Sequence, residues 1–181
     1  MTQHIALLRG VNVGGHKAVA MAELRALAAD LGLGQPRTLL QSGNLVFHDD
    51  DRSGAALEAL LQEAALRRLG LETTIVVRDH AEWSDAVATN PFKAEAIADP
   101  GHLLLMALKS APGPAGPQAL NDAIKGRERV KVRGRHAWLV YPDGVGDSRL
   151  TNAVIERCLG VRGTARNWNT VLKLAALAGE D

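Results

Sequence analysis

Aromatic residues are scarce in this chain: three tryptophans, two phenylalanines and one tyrosine make up 3% of its 181 residues. The strands therefore lack the cluster of exposed rings on which an RNA-binding sheet stacks bases. There is one cysteine, Cys158, which excludes an internal disulfide. It falls in "AVIERCLG", where helical spacing places it among apolar neighbours as a core thiol rather than a reactive one. No apolar run approaches the roughly 20 residues of a bilayer span. The N-terminal "MTQHIALLRG" has an arginine after its brief apolar segment and lacks the basic start, long apolar stretch and cleavage site of a signal peptide. The expected location is cytoplasmic, with no membrane partner. Net charge is +1, which removes the global basicity that would by itself indicate nucleic acid.

Catalytic patterns are missing as well. His4, His16, His48, His80, His102 and His136 are scattered without a helix-spaced pair or a companion cysteine cluster, so no metal site is expected. The acidic run "HDDD", His48 to Asp51, reads as a solvated loop. Ser42 lies in "QSGN" rather than in a G-x-S-x-G elbow. No nucleophile, general acid or general base stands out, and no cofactor is called for.

What is present is 46% hydrophobic residues in clear periods. "HIALLRG" reads as a strand, "AVAMAELRALAADLGLG" as a helix, and "RTLLQSGNLVFH" as a hairpin turning at "QSGN". "SGAALEALLQEAALRRLGL" is an amphipathic helix and "ETTIVVRD" a β-branched strand. A short helix around "HAEWSDAV" and a loop through "TNPFKAEAIADPG" follow, and the order then repeats. "HLLLMALK", "PAGPQALNDAI", "RVKV", "HAWLVYP", "SRLTNAVIERCLG" and "RGTAR" read as strand, helix, hairpin, helix and short strand. "NWNTVLKLAALAG" forms a closing helix. The expected fold is α+β, a duplicated ferredoxin-like unit (βαββαβ twice) with antiparallel sheets and a C-terminal helix. The expected division is 1–79 for the first half, 80–101 for a connecting helix and loop, and 102–181 for the second half with the closing helix.

In that topology the exit of the first strand and the hairpin between the second and third strands share one end of the sheet. "RGVNVGGHK" and "QSGN" should therefore meet. They bring together Arg9, Gly10, Asn12, Gly14, Gly15, Lys17, Ser42, Gly43 and Asn44, a set of glycine-freed amides, polar side chains and two cations suited to an anion. The competing explanation is that the glycines only turn the chain, Arg9 caps the strand end and Asn12 braces the loop. "GVNVGG" matches neither the dinucleotide fingerprint nor the phosphate loop. A third cluster, Arg166, Asn167, Trp168 and Asn169, reads either as a pocket wall with a stacking ring or as a helix cap above a packed indole.

The segments "ALLRGVNVGGHKAVAMAELRALAADLGL", "RTLLQSGNLVF", "TNPF" and "RGTARNWNTVLKLAALA" resemble the hallmark segments of the domain of unknown function 1697 family of bacterial proteins. The resemblance runs from the first strand to the last helix. It implies a duplicated ferredoxin-like fold and brings no activity, substrate or cofactor with it. Its characteristic positions fall on Arg9, Gly10, Asn12, Gly14, Gly15, Ser42, Gly43, Asn44, Asn90, Pro91, Arg166, Asn167, Trp168 and Thr170.

The leading functional expectation is a cytoplasmic protein that binds a small anionic, phosphate-containing or nucleotide-like ligand at the glycine-rich loop after the first strand. The second is an RNA-binding module using "KGRERVKVRGRH", residues 125–136, which sets six basic residues against one acid. Oligomeric partners leave no sign in the sequence.

Overall fold

A computed structural model describes residues 1–15 and 17–180. The chain divides into two compact units, Met1–Val87 with Lys173–Asp181, and Ala88–Leu172. The first runs β1 (Gln3–Leu8), α1 (Met21–Asp30), β2 (Gly34–Leu39), β3 (Asn44–His48), α2 (Gly54–Leu69), β4 (Ile75–Asp79) and α3 (His80–Ala88). After α4 (Lys93–Ala98) and a 3-10 turn at Pro100–His102 come β5 (Leu103–Leu108), α5 (Gly116–Ala123), β6 (Arg129–Arg133), β7 (His136–Val140), α6 (Asn152–Leu159), β8 (Gly163–Asn167) and α7 (Trp168–Ala178).

The sheets are ordered β2-β3-β1-β4 and β6-β7-β5-β8, with every neighbouring pair antiparallel. This is the ferredoxin-like order made twice, as the sequence predicts. In the first unit Ala6, Leu8, Leu45 and Phe47 face the apolar stripes of α1 and α2. In the second, Met106, Leu108, Ala137 and Leu139 pack with Leu120 of α5 and Ile155 of α6. Each fully buried leucine, isoleucine, methionine or phenylalanine among them contributes about 1.5–3 kcal/mol relative to exposure. The partly buried Cys158 packs against this second core.

The repeat is longer than its sequence pattern indicates. α3 starts directly after β4 and α7 directly after β8, and both starts are capped alike. Asp79 Oδ1 accepts from the Glu82 amide at 2.7 Å and Asn167 Oδ1 from the Thr170 amide at 3.1 Å. The helix expected as a connector and the helix expected as a closing piece thus leave the fourth strand of each βαββαβ unit in the same way. The end of the chain is tied into the first unit, where the Glu180 carbonyl accepts from Gln3 Nε2 at 2.9 Å and its carboxylate pairs with Arg37 at 3.0 Å. α4 occupies what the sequence presents as loop. It buries no residue, so hydrophobic periodicity carries no trace of it, and its three alanines favour the helix through propensity.

Candidate functional site

The first-strand loop and the "QSGN" turn do meet. Leu7 stands opposite Asn44 in the sheet, and the Leu8 amide donates to the Gly43 carbonyl at 2.9 Å. Gly43 has φ +81°, and a Cβ built there would fall 2.5 Å from Val11 Cγ2 and 2.8 Å from Leu8 Cβ. Only glycine allows the turn to press this closely on the loop.

Asn12 is the clamp between the two segments. Its Oδ1 accepts from the Val19 amide at 2.9 Å. Its Nδ2 donates to the Val19 carbonyl at 2.9 Å and to the Gln41 carbonyl at 2.6 Å. Asn44, fully buried, holds the turn in the same manner, donating to the Leu39 carbonyl at 2.8 Å and to Ser42 Oγ at 2.9 Å. These side-chain amides mimic backbone and give the loop a single shape.

Five of the described residues between positions 10 and 17 have positive φ: Gly10, Asn12, Gly14, Gly15 and Lys17, at +67°, +54°, +59°, +76° and +48°. Asn12 and Lys17 carry a side chain into the left-handed region, where the strain costs on the order of 1–3 kcal/mol per residue. Gly10, Gly14, Gly15 and Lys17 are exposed, and Ser42 and Arg9 are half-buried. The main chain of Arg9 is held from β4, its amide donating to the Thr74 carbonyl at 2.9 Å and its carbonyl accepting from Thr73 Oγ1 at 2.6 Å. Thr73, expected inside the strand "ETTIVVRD", lies just before β4 and supports the loop from there. The signal available for it was the antiparallel order itself, which sets the start of β4 beside the end of β1. His16 lies outside the described residues.

Arg166, Asn167, Trp168 and Asn169 belong to the second unit. Arg166 stands opposite Leu105 as Arg78 stands opposite Ile5 in the first unit. Each donates from Nη1 to the carbonyl of the preceding residue at 2.9 Å, and Arg166 also donates to Thr164 Oγ1 at 2.9 Å. Arg78 pairs through Nε with Glu82 at 3.3 Å. Burial lowers the Arg166 guanidinium to about 10, still charged at neutral pH. Trp168 is buried and Asn169 exposed, and Asn167 caps α7 as described. "TNPF" forms a turn in which Asn90 Oδ1 accepts from the Phe92 amide at 2.9 Å.

In the basic segment 125–136, Arg127 is bonded to Asp143 and Arg129 to Glu95. The hydrogen bond from Arg127 holds Asp143 below the usual carboxylate range, and that from Arg129 does the same for Glu95. Trp138 and Tyr141 are both buried. Tyr141 donates to the Leu150 carbonyl at 3.0 Å, and burial pushes its phenol up to about 12. A cavity of about 200 Å³ lies in this unit, floored by Leu104, Met106 and Leu139 and bordered by Val145, Ser148 and Thr151. It accompanies the shortness of α6, with eight residues where α2 has 16. Among the described residues no group of three or more histidine, cysteine, aspartate or glutamate side chains could hold a metal, and no helix is long and apolar enough to cross a membrane.

Two four-stranded antiparallel sheets, each with the 2-3-1-4 strand order, define a duplicated ferredoxin-like α+β protein. A conserved bacterial protein from Streptococcus pneumoniae, SP0830, has the same fold, with a TM-score of 0.72 and 22% sequence identity over 98% of each chain. The chain belongs to the DUF1697 family of proteins of unknown function, whose family model matches residues 1–138. No curated protein matches it.

Proposed function

We propose that this is a cytoplasmic protein that binds a small anionic ligand, phosphate-containing or nucleotide-like, on the loop from Arg9 to Lys17 beside Ser42. The observation that carries the reading is the run of left-handed residues at Gly10, Asn12, Gly14, Gly15 and Lys17, braced by the three bonds of Asn12. Left-handed residues alternating with negative-φ ones, as Gly10, Asn12 and Gly14 do with Val11 and Val13, turn main-chain N–H groups toward a common concavity, and a strained non-glycine backbone persists where its surroundings over-determine it. Arg9 and Lys17 supply the charge, while Asn12, Gly43 and Asn44 build the cradle. The burial of Trp138 and Tyr141 and the pairing of Arg127 and Arg129 with acids favour this reading over RNA binding. A single cysteine with no partner for a disulfide suits a reducing compartment.

The test is thermal unfolding of the full chain with inorganic phosphate, ADP or glucose 6-phosphate. Binding raises the melting temperature in proportion to the logarithm of ligand excess. The rise disappears in Arg9→Ala and shrinks in Lys17→Ala. Equal curves with and without all three compounds, or equal rises in the variants, would refute it.

A further inference from the structure

Each sheet ends in two outer strands whose outward-facing amides and carbonyls invite pairing, and three of the four are blocked along all or part of their length. β2 carries Pro36, a positive φ of +46° at Gln35 and a register shift between Gly34 and Arg37. β4 is closed by helix side chains: Gln62 Oε1 accepts from the Ile75 amide and the buried Glu58 Oε1 from the Val77 amide, both at 2.9 Å. β8 repeats the device at its first residue, with Glu156 Oε1 accepting from the Gly163 amide at 3.3 Å.

β6 is built otherwise. It runs in unbroken register with β7 from Arg129 opposite Val140 to Arg133 opposite His136, and it holds no proline or glycine. The two-residue turn at Gly134 and Arg135 makes Arg133 and His136 a pair that exchanges both hydrogen bonds. Arg129, Lys131 and Arg133 therefore bond inward to β7, and Val130 and Val132 direct N–H and C=O outward. Among the described residues no side-chain acceptor reaches those two amides. Arg129 lies on Glu95 and over the Phe92 ring at 5.2 Å, and Arg133 donates to Thr89 Oγ1 at 2.7 Å. Lys131 stands exposed between them, with Lys125 exposed just before the strand and Arg135 at the turn.

We propose that β6 is a docking edge that accepts an extended acidic segment of a partner protein as a fifth strand. Val130 and Val132 supply the main-chain bonds and Lys131 and Arg133 the charge for the partner's carboxylates. A second copy of this chain is the wrong occupant, because two-fold pairing of β6 on itself opposes lysine to lysine. The proposal is independent of the anion loop, which lies in the other unit.

The experiment uses the full chain and short fluorescein-labelled peptides read by anisotropy. A peptide of alternating glutamate and valine is expected to bind, with affinity that falls as salt rises. The same peptide N-methylated on alternate residues loses binding, because its side chains are unchanged and its strand pairing is blocked. Lys131→Glu, at an exposed position, weakens the unmethylated peptide about tenfold. Equal binding of the methylated peptide, no change in Lys131→Glu, or no binding of either peptide overturns the proposal. Tighter retention of oligouridine than of peptide also overturns it, in favour of a nucleic-acid surface.

Discussion

Asn12 is the residue on which the candidate site turns, because its side chain decides the loop's shape and is consumed in doing so. Its side-chain bonds go to main chain at Val19 and Gln41, so its contribution to any ligand is the posture of its neighbours. Asn12→Ala removes an acceptor and a donor while leaving a backbone angle that alanine tolerates poorly. The expected loss is about 1–3 kcal/mol of unfolding free energy, measurable by urea denaturation. Asn12→Gly relieves the angle and loses only the bonds, so it falls between the wild type and Asn12→Ala. Equal losses in the two variants would mean that the bonds, and not the angle, dominate. In the sequence Asn12 is legible as either brace or ligand contact, since asparagine serves both roles with the same atoms. The register that brings the Gln41 carbonyl to 2.6 Å separates the two.

At the scale of elements, the sequence announces the strands and helices that bury apolar side chains. It is silent about α4, which buries nothing, and about the equivalence of α3 and α7, which shows only in where they begin. The side chains that close strand edges belong to the same silent category. Glu58 reads as one more polar position on an amphipathic helix, yet it is buried and bonded to the Val77 amide. Replacing it with alanine leaves a buried donor unsatisfied and is expected to cost about 1–3 kcal/mol. Glu58→Gln, which keeps the accepting oxygen, costs less. Amide exchange at Val77 is the direct readout: it accelerates in Glu58→Ala, and an unchanged rate would show that the carboxylate contributes nothing to the edge.

At the scale of the whole molecule, the two units differ in how they meet acid. Glu95, Glu128 and Asp143, all in the second unit, have carboxyls lowered by hydrogen bonds from Arg129, Ser148 and Arg127 respectively. In the first unit, Asp50 is lowered by the Thr2 amide. A folded-state pKa below the unfolded one gives stability that is complete above the ordinary carboxylate values of 3.8 and 4.5. That stability is lost as pH falls through the lower folded values. Acidification is therefore expected to loosen the second unit first, seen as earlier loss of amide protection at Leu105 and Leu139 than at Ile5 and Val46. Protection lost first in the first unit would contradict this. The sequence by itself determined the order of the strands and of the helices that pack on them, the ferredoxin-like class and the meeting of the glycine loop with the "QSGN" turn, because periodicity and turn chemistry are local and the topology follows from them. Tertiary structure alone decided which polar atoms the fold spends on itself, at Asn12, Asn44 and Glu58, and which edge it leaves unspent at β6. Those outcomes depend on distances of a few ångströms between residues far apart in the chain.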